Sequence, residues 1–195
     1  MITLPTRLVP YRILGIDNGS TRIGTTVMDL DLNTGRMMVR SCESFLAMKT
    51  AGRYIQYGEL AGRFARMVAI REYLRESLQQ WTPDIVLIES PFLNRRMPES
   101  FAVLRESLIL IKLSIMEDKP GLPIEDVSPR SAKVAAGVDL KRKGKEPVIE
   151  AVRKLSIDYA PGIDIEALDD DAVDSIIIAY YKAIEVYTAY KAGIK

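Results

Sequence analysis

Ile13-Leu14-Gly15-Ile16-Asp17 and Ile23-Gly24-Thr25-Thr26-Val27-Met28 are short apolar runs, and Asn18-Gly19 lies between them. An Asn-Gly dipeptide flanked by β-compatible segments is a strong tight-turn signal, so the pair reads as a β-hairpin. Met37 to Phe45 follows the turn signal Asn33-Thr34-Gly35 and adds a third antiparallel strand. The period then changes. Leu60, Phe64, Met67, Ile70, Leu74 and Leu78 recur at three- and four-residue steps, which predicts an amphipathic helix from Glu59 to Leu78. Asp84 to Glu89 contains four consecutive apolar residues, Ile85 to Ile88, the pattern of a strand covered on both faces. Helices must therefore flank it.

The same reading continues with a helix over Pro98 to Met116, a short strand over Ile124 to Val127, and a brief helix starting at Ser128-Pro129. Glu146 to Leu155 reads as helical. After the Pro161-Gly162 break, Asp169 to Tyr190 is a long helix with Val173, Ile176, Ile177, Tyr180 and Ile184 on one apolar face. Three sequential antiparallel strands followed by βα units predict an α/β fold: a mixed five-stranded sheet with helices on both faces.

The length of 195 residues suits one domain spanning 1–195, and a hydrophobic share of 48% with 27% charged residues is globular. Cys42 is the only cysteine, and no basic start leads into an apolar run, so an intracellular, cytoplasmic protein is expected. Apolar runs are too short to cross a bilayer, and no membrane partner is expected. The 27 basic and 26 acidic residues nearly cancel, yet residues 93–145 carry 11 basic and 7 acidic side chains, whereas residues 146–195 carry 5 and 10. Such a balance accommodates a phosphate-binding face beside a carboxylate-rich pocket, and equally an uneven surface.

Asp17 closes the first strand, Glu89 closes the fourth, and Asp171 and Asp174 share one face at the start of the last helix. Taken singly, an Asp before a turn, a Glu after a strand and acids at a helix N-terminus have ordinary structural explanations. Their joint occurrence at the ends of separate elements is a different matter. Converging carboxylates repel one another unless a cation neutralises them, and hard oxygen ligands suit Mg²⁺ or Mn²⁺. Such a site cuts phosphodiesters.

The segments 13–20 (ILGIDNGS), 86–92 (VLIESPF) and 171–179 (DAVDSIIIA) resemble, in order, the three acidic motifs of RuvC-type Holliday junction resolvases, members of the RNase H-like nuclease superfamily. Pro129, Lys133, Gly137, Lys145 and Val148 match a further stretch of that family, and the resemblance spans about residues 11–185. Residues 1–10 form an N-terminal extension outside it. The resemblance implies an RNase H-like fold and a crossover junction endodeoxyribonuclease, phage-type members included. It implies two Mg²⁺ ions, replaceable by Mn²⁺, on Asp17, Glu89, Asp171 and Asp174, with Lys145 approaching the scissile phosphate. The acidic run leaves Asp170 open as the alternative to Asp171, and a loop about two residues longer than in bacterial members leaves Lys143 open as the alternative to Lys145.

Phe92 matches an aromatic position that in the family probes bases at the junction centre; otherwise it is a core residue anchoring its loop. Arg95, Arg96, Lys133, Lys141, Arg142 and Lys143 would track DNA phosphates across the arms. Cutting a four-way junction symmetrically requires two sites related by a twofold axis, which implies a homodimer. The Pro98 to Met116 helix is the expected interface, through Phe101, Leu104, Leu108, Ile111, Leu113 and Ile115. The expected location is the nucleoid, or a host cytoplasm if the protein is phage-encoded. Other RNase H-like nucleases acting on RNA or on other branched DNA share the acidic site and remain alternatives. Gly15 to Thr21 also resembles the first phosphate motif of sugar kinases and actin-like ATPases, but no second such motif follows.

Overall fold

The structure is a computed structural model and describes residues 9–51, 61–92, 98–142 and 144–193. Strands β1 (Tyr11–Asp17), β2 (Arg22–Leu30), β3 (Met37–Leu46), β4 (Ile85–Glu89), β5 (Ile124–Val127) and β6 (Asp158–Tyr159) form one sheet in the order β5-β4-β1-β2-β3-β6. β1, β2 and β3 are antiparallel, whereas β4 runs parallel to both β1 and β5. The mixed α/β class is as the sequence predicts. β6 makes one strand more than the expected five; its two residues, Asp158 and Tyr159, pair with Met38 and Val39 and are too few to show a period.

The helices are α1 (Ala47–Ala51), α2 (Ala61–Trp81), α3 (Pro98–Asp118), α4 (Pro129–Ala135), α5 (Glu146–Lys154) and α6 (Asp170–Lys191). Strand alternation divides the core between the two faces of the sheet. Ile13, Met28, Val39, Ile85, Leu87 and Val127 pack with Val148 and Val152 of α5 and with Val173, Ile176, Ile177 and Ala183 of α6. Leu14, Ile16, Val27, Val86 and Ile88 pack on the opposite face with Ile70, Leu74 and Leu78 of α2 and with Leu108, Ile111 and Ile115 of α3. Phe64, expected on the apolar stripe of α2, is exposed instead, and Leu60 lies outside the described residues. Leu108, Ile111 and Ile115 of the expected interface are core residues, whereas Leu113 is exposed and shares the solvent stripe of α3 with Ile109 and Met116.

Asn18-Gly19 does not form a two-residue hairpin turn. Four residues, 18–21, separate β1 from β2, and Gly19 is absent from the positive-φ positions. Gly19 is needed for space: a Cβ there would lie 1.9 Å from the Arg22 carbonyl oxygen. The connection is tied to the neighbouring helices. Asn18 Nδ2 donates to the Leu104 carbonyl at 3.1 Å, Ser107 Oγ to the Gly19 carbonyl at 3.2 Å, and Arg66 Nε to the Ser20 carbonyl at 3.1 Å.

Two glycines bring α6 onto the sheet. A Cβ on Gly15 would sit 2.7 Å from the Ala179 nitrogen, and one on Gly24 would sit 1.8 Å from the Asp171 carbonyl oxygen. Side chains lock this approach: the Thr26 and Ser175 hydroxyls are 2.7 Å apart, and Ser175 Oγ donates to the Ala172 carbonyl at 2.7 Å. Cys42 Sγ donates to the same carbonyl at 3.3 Å, and burial pushes its thiol up to about 11, which makes it a structural group and no nucleophile. Further along α6, the fully buried Lys182 is neutralised by Glu125 and Glu185, both at 2.7 Å.

Candidate active site

Asp17 and Glu89 end neighbouring parallel strands, since Ile16 pairs with Ile88 one residue earlier. Both follow the α6-facing parity of their strands, Ile13 and Gly15 in β1, Ile85 and Leu87 in β4, so the two carboxylates lie beneath the start of α6. That helix begins at Asp169, whose side chain caps it by accepting from the Ala172 amide at 3.1 Å. Gly24 is the β2 partner of Asp17, and its missing side chain lets the Asp171 backbone rest against the strand. Ligand sites at the carboxyl ends of parallel strands are a general property of open α/β sheets.

The electrostatics reflect this crowding. Burial pushes the Asp17 carboxyl up to about 10, helped by a shared hydrogen bond with Glu89 and by the charges of Glu89, Asp174 and Asp171. Burial also raises Asp174 to about 6, against the pull of Lys133, while Glu89 adds to the rise. Asp171 is raised by burial and by Asp169, with Arg22 opposing. Strongly perturbed carboxylates at one point of a fold are a recurrent mark of functional sites.

Cations already occupy part of the cluster. Lys133 Nζ stands 3.7 Å from Asp174 Oδ1, too far for a hydrogen bond, and that buried oxygen has no hydrogen-bond partner among the described residues. Arg22 spans Asp169 at 2.9 Å and Asp171 at 3.5 Å. Lys145 Nζ pairs with Asp170 at 3.0 Å. As placed, no three His, Cys, Asp or Glu side chains among the described residues are grouped to hold a metal. The chemistry of the donors nonetheless fits a hard cation: all are carboxylate oxygens, one of them buried without a hydrogen bond among the described residues.

Two hollows flank the carboxylates. A cleft of about 260 Å³ is lined by Lys133, Gly144, Lys145, Val148, Asp170 and Asp174. A wider groove of about 810 Å³ lies along Ser20, Thr21, Arg22, Arg63, Arg66 and Asp171. Asp170 and Asp171 thus line different sides of the α6 N-terminus, and the charge of Asp171 is among those that raise Asp17.

Phe92 is 72% exposed just beyond Glu89, which removes the reading of it as a core anchor. Lys141 is exposed, and Arg142 forms a two-pronged ion pair with Glu150 at 2.6 and 2.9 Å. Arg95, Arg96 and Lys143 lie outside the described residues. Lys133 lies at the carboxylates themselves, although the sequence places it with the phosphate-tracking residues. Arg22 was not singled out by sequence reasoning at all, because a lone arginine opening a strand carries no periodic or motif signal.

A sheet of this order, with carboxylates converging from β1, β4 and α6, defines an RNase H-like protein. No family model matches the chain. Among curated proteins it is 30% identical over 169 residues to the crossover junction endodeoxyribonuclease RuvC of Synechococcus sp. (strain WH7803), covering 86% of this chain and 95% of the relative. It is 28% identical, with the same coverage, to that of Prochlorococcus marinus (strain MIT 9313). Among solved structures, T. thermophilus RuvC in complex with a Holliday junction substrate matches with a TM-score of 0.69 at 21% identity, over 92% of this chain and 97% of that one. The yeast mitochondrial Holliday junction resolvase matches with a TM-score of 0.65 at 19% identity, over 97% and 84%. The chain belongs to the RuvC crossover junction endodeoxyribonuclease family.

Proposed function

We propose that this protein is a structure-selective endonuclease that resolves Holliday junctions by hydrolysing phosphodiesters. The observation that carries the reading is the nearness of Asp17, Glu89 and Asp174 at the α6 N-terminus, where burial and the neighbouring carboxylates push Asp17 up to about 10. Asp17, Glu89, Asp171 and Asp174 would hold the metal, two Mg²⁺ ions in the first instance, with Mn²⁺ able to replace them. When bound, such ions supply an activated water and offset the charge that builds on the phosphate. Hydrolysis would join a water oxygen to phosphorus as the bond to the sugar oxygen breaks, the water's proton ending on that leaving oxygen.

The chain's own residues do the rest. Lys133, at the rim of the cleft beside Asp174, and Lys145, at the start of α5, present positive charge to the phosphate undergoing attack. Phe92 offers an exposed ring on which an opened base can stack. Lys141 and Arg142, with Arg95, Arg96 and Lys143, tether phosphates of the duplex arms. The chain acts as a single domain and as a homodimer, and the more than half-exposed stripe Ile109, Leu113 and Met116 on α3 supports that assembly. No helix among the described residues is long and apolar enough to cross a membrane.

The test is to incubate purified protein and Mg²⁺ with a matched set of four-way junctions, forks, flaps, linear duplex and structured RNA. Paired nicks across the junction are expected. Preferential cutting of RNA would move the protein to another branch of the RNase H-like nucleases.

A further inference from the structure

We propose that Arg22 is a positioning residue that competes with the metal for Asp171, acting as an exchangeable internal counter-ion. The inference rests on the metal site proposed above and adds to it a residue outside the acidic motifs. Arg22 opens β2, where its backbone is fixed by pairing with Leu46 of β3. Its guanidinium reaches across to the α6 N-terminus, Nη1 on Asp169 Oδ2 at 2.9 Å and Nε on Asp171 Oδ2 at 3.5 Å.

The two acids are held differently. Asp169 is committed as the helix cap, through Ala172, so the closer of the two ion pairs belongs to the frame of the molecule. The Asp171 carboxylate has no such second duty. Its backbone is pinned against Gly24, and its side chain, paired with Arg22, lines the groove formed with Ser20, Thr21 and Arg66. Asp174 lines the cleft on the other side. As placed, the described carboxylates are not grouped to hold a metal. For Asp171 to join a cation with Asp17, Glu89 and Asp174 it must leave Arg22, which stays behind on Asp169. Arg22 therefore weakens metal binding by the worth of one partly exposed ion pair, and in exchange it keeps like-charged Asp169, Asp170 and Asp171 from repelling one another while the metal is away.

The experiment is calorimetric titration of Mn²⁺ into metal-free protein, comparing the unaltered chain with R22Q, R22K and D17N. Losing one such ion pair should tighten Mn²⁺ binding in R22Q by roughly two- to fivefold. R22K keeps a charge for Asp169 but lacks the fork that spans both acids, so it should tighten binding by a smaller factor; it decides the question if R22Q does not fold. A merely structural role would loosen binding. D17N should bind at least about tenfold more weakly, since it removes a ligand charge. If D17N is impaired while the Arg22 variants bind no more tightly than the unaltered protein, this inference is overturned and the proposed metal site stands. If the unaltered protein binds no Mn²⁺, both are overturned.

Discussion

Replacing Gly24 by alanine tests whether the approach of α6 to the sheet assembles the site. The added Cβ would lie 1.8 Å from the Asp171 carbonyl oxygen and 2.3 Å from its carbon, against the 3.4 Å at which ordinary contact begins. Those atoms are backbone and cannot swing aside, so the first turn of α6 must retreat by more than an ångström. Overpacking of this kind costs about 1–3 kcal/mol. For a chain of this size that is roughly 2–12 °C in Tm. The consequence for chemistry is larger. Asp171 and Asp174 ride on the displaced turn while Asp17 and Glu89 stay on the sheet, and a misplacement of about 1 Å can cost about a hundredfold in rate. Single-turnover cutting of a labelled four-way junction should therefore fall about a hundredfold in G24A, with circular dichroism showing a folded protein. Gly15→Ala should be milder, because its Cβ would meet the Ala179 nitrogen at 2.7 Å. Gly62→Ala, exposed on α2 with only Arg66 at 3.8 Å, should raise stability by about 1 kcal/mol and leave cutting unchanged. G24A cutting within threefold of the unaltered rate would refute the idea that this contact sets the site geometry.

Asp17→Asn and Glu89→Gln should each abolish junction cutting in Mg²⁺ while gel-shift binding survives; a normal rate in either removes these residues from the site. The Asp17 proton, held up to about 10, is bound more tightly in the folded than in the unfolded protein. That stabilisation is complete below the ordinary carboxylate range and is lost as pH rises from there toward about 10, a loss that D17N does not suffer. The melting temperature of metal-free D17N relative to the unaltered protein should therefore climb between about pH 4 and 9, and a flat difference would contradict the assigned burial. Lys133 holds Asp174 down to about 6, so its removal should move the acidic limb of the pH–rate profile to higher pH in K133A; an unmoved limb rejects the pairing. Lys145→Ala should slow single-turnover cutting by about a hundredfold with little change in junction affinity. A loss of affinity alone, with Lys143→Ala slowing the chemistry, would transfer the role to Lys143.

Much of the architecture was legible because hydrophobic period and turn residues act over a few neighbours. The buried run Ile85 to Ile88 announced a strand covered on both faces, and the C-terminal ends of the major helices were read to within three residues of those observed. β6 escaped because two residues hold no period, and its pairing with β3 exists only once the chain has folded back. The acidic positions were legible as a set: taken singly Asp17 and Glu89 have ordinary structural explanations, but with the Asp171 and Asp174 pair, all at the ends of separate elements, they stood out. What they do to each other did not. The proton held by Asp17, the side of α6 from which Asp170 and Asp171 each project, and the grip of Arg22 on Asp169 and Asp171 depend on separations between residues up to 157 positions apart in the chain. Gly15 and Gly24 show the division most clearly. In the sequence they are small residues in strand-like runs, and only the tertiary structure reveals that their missing side chains let α6 descend far enough to bring its acids to the ends of β1 and β4, because close packing admits no other atoms there.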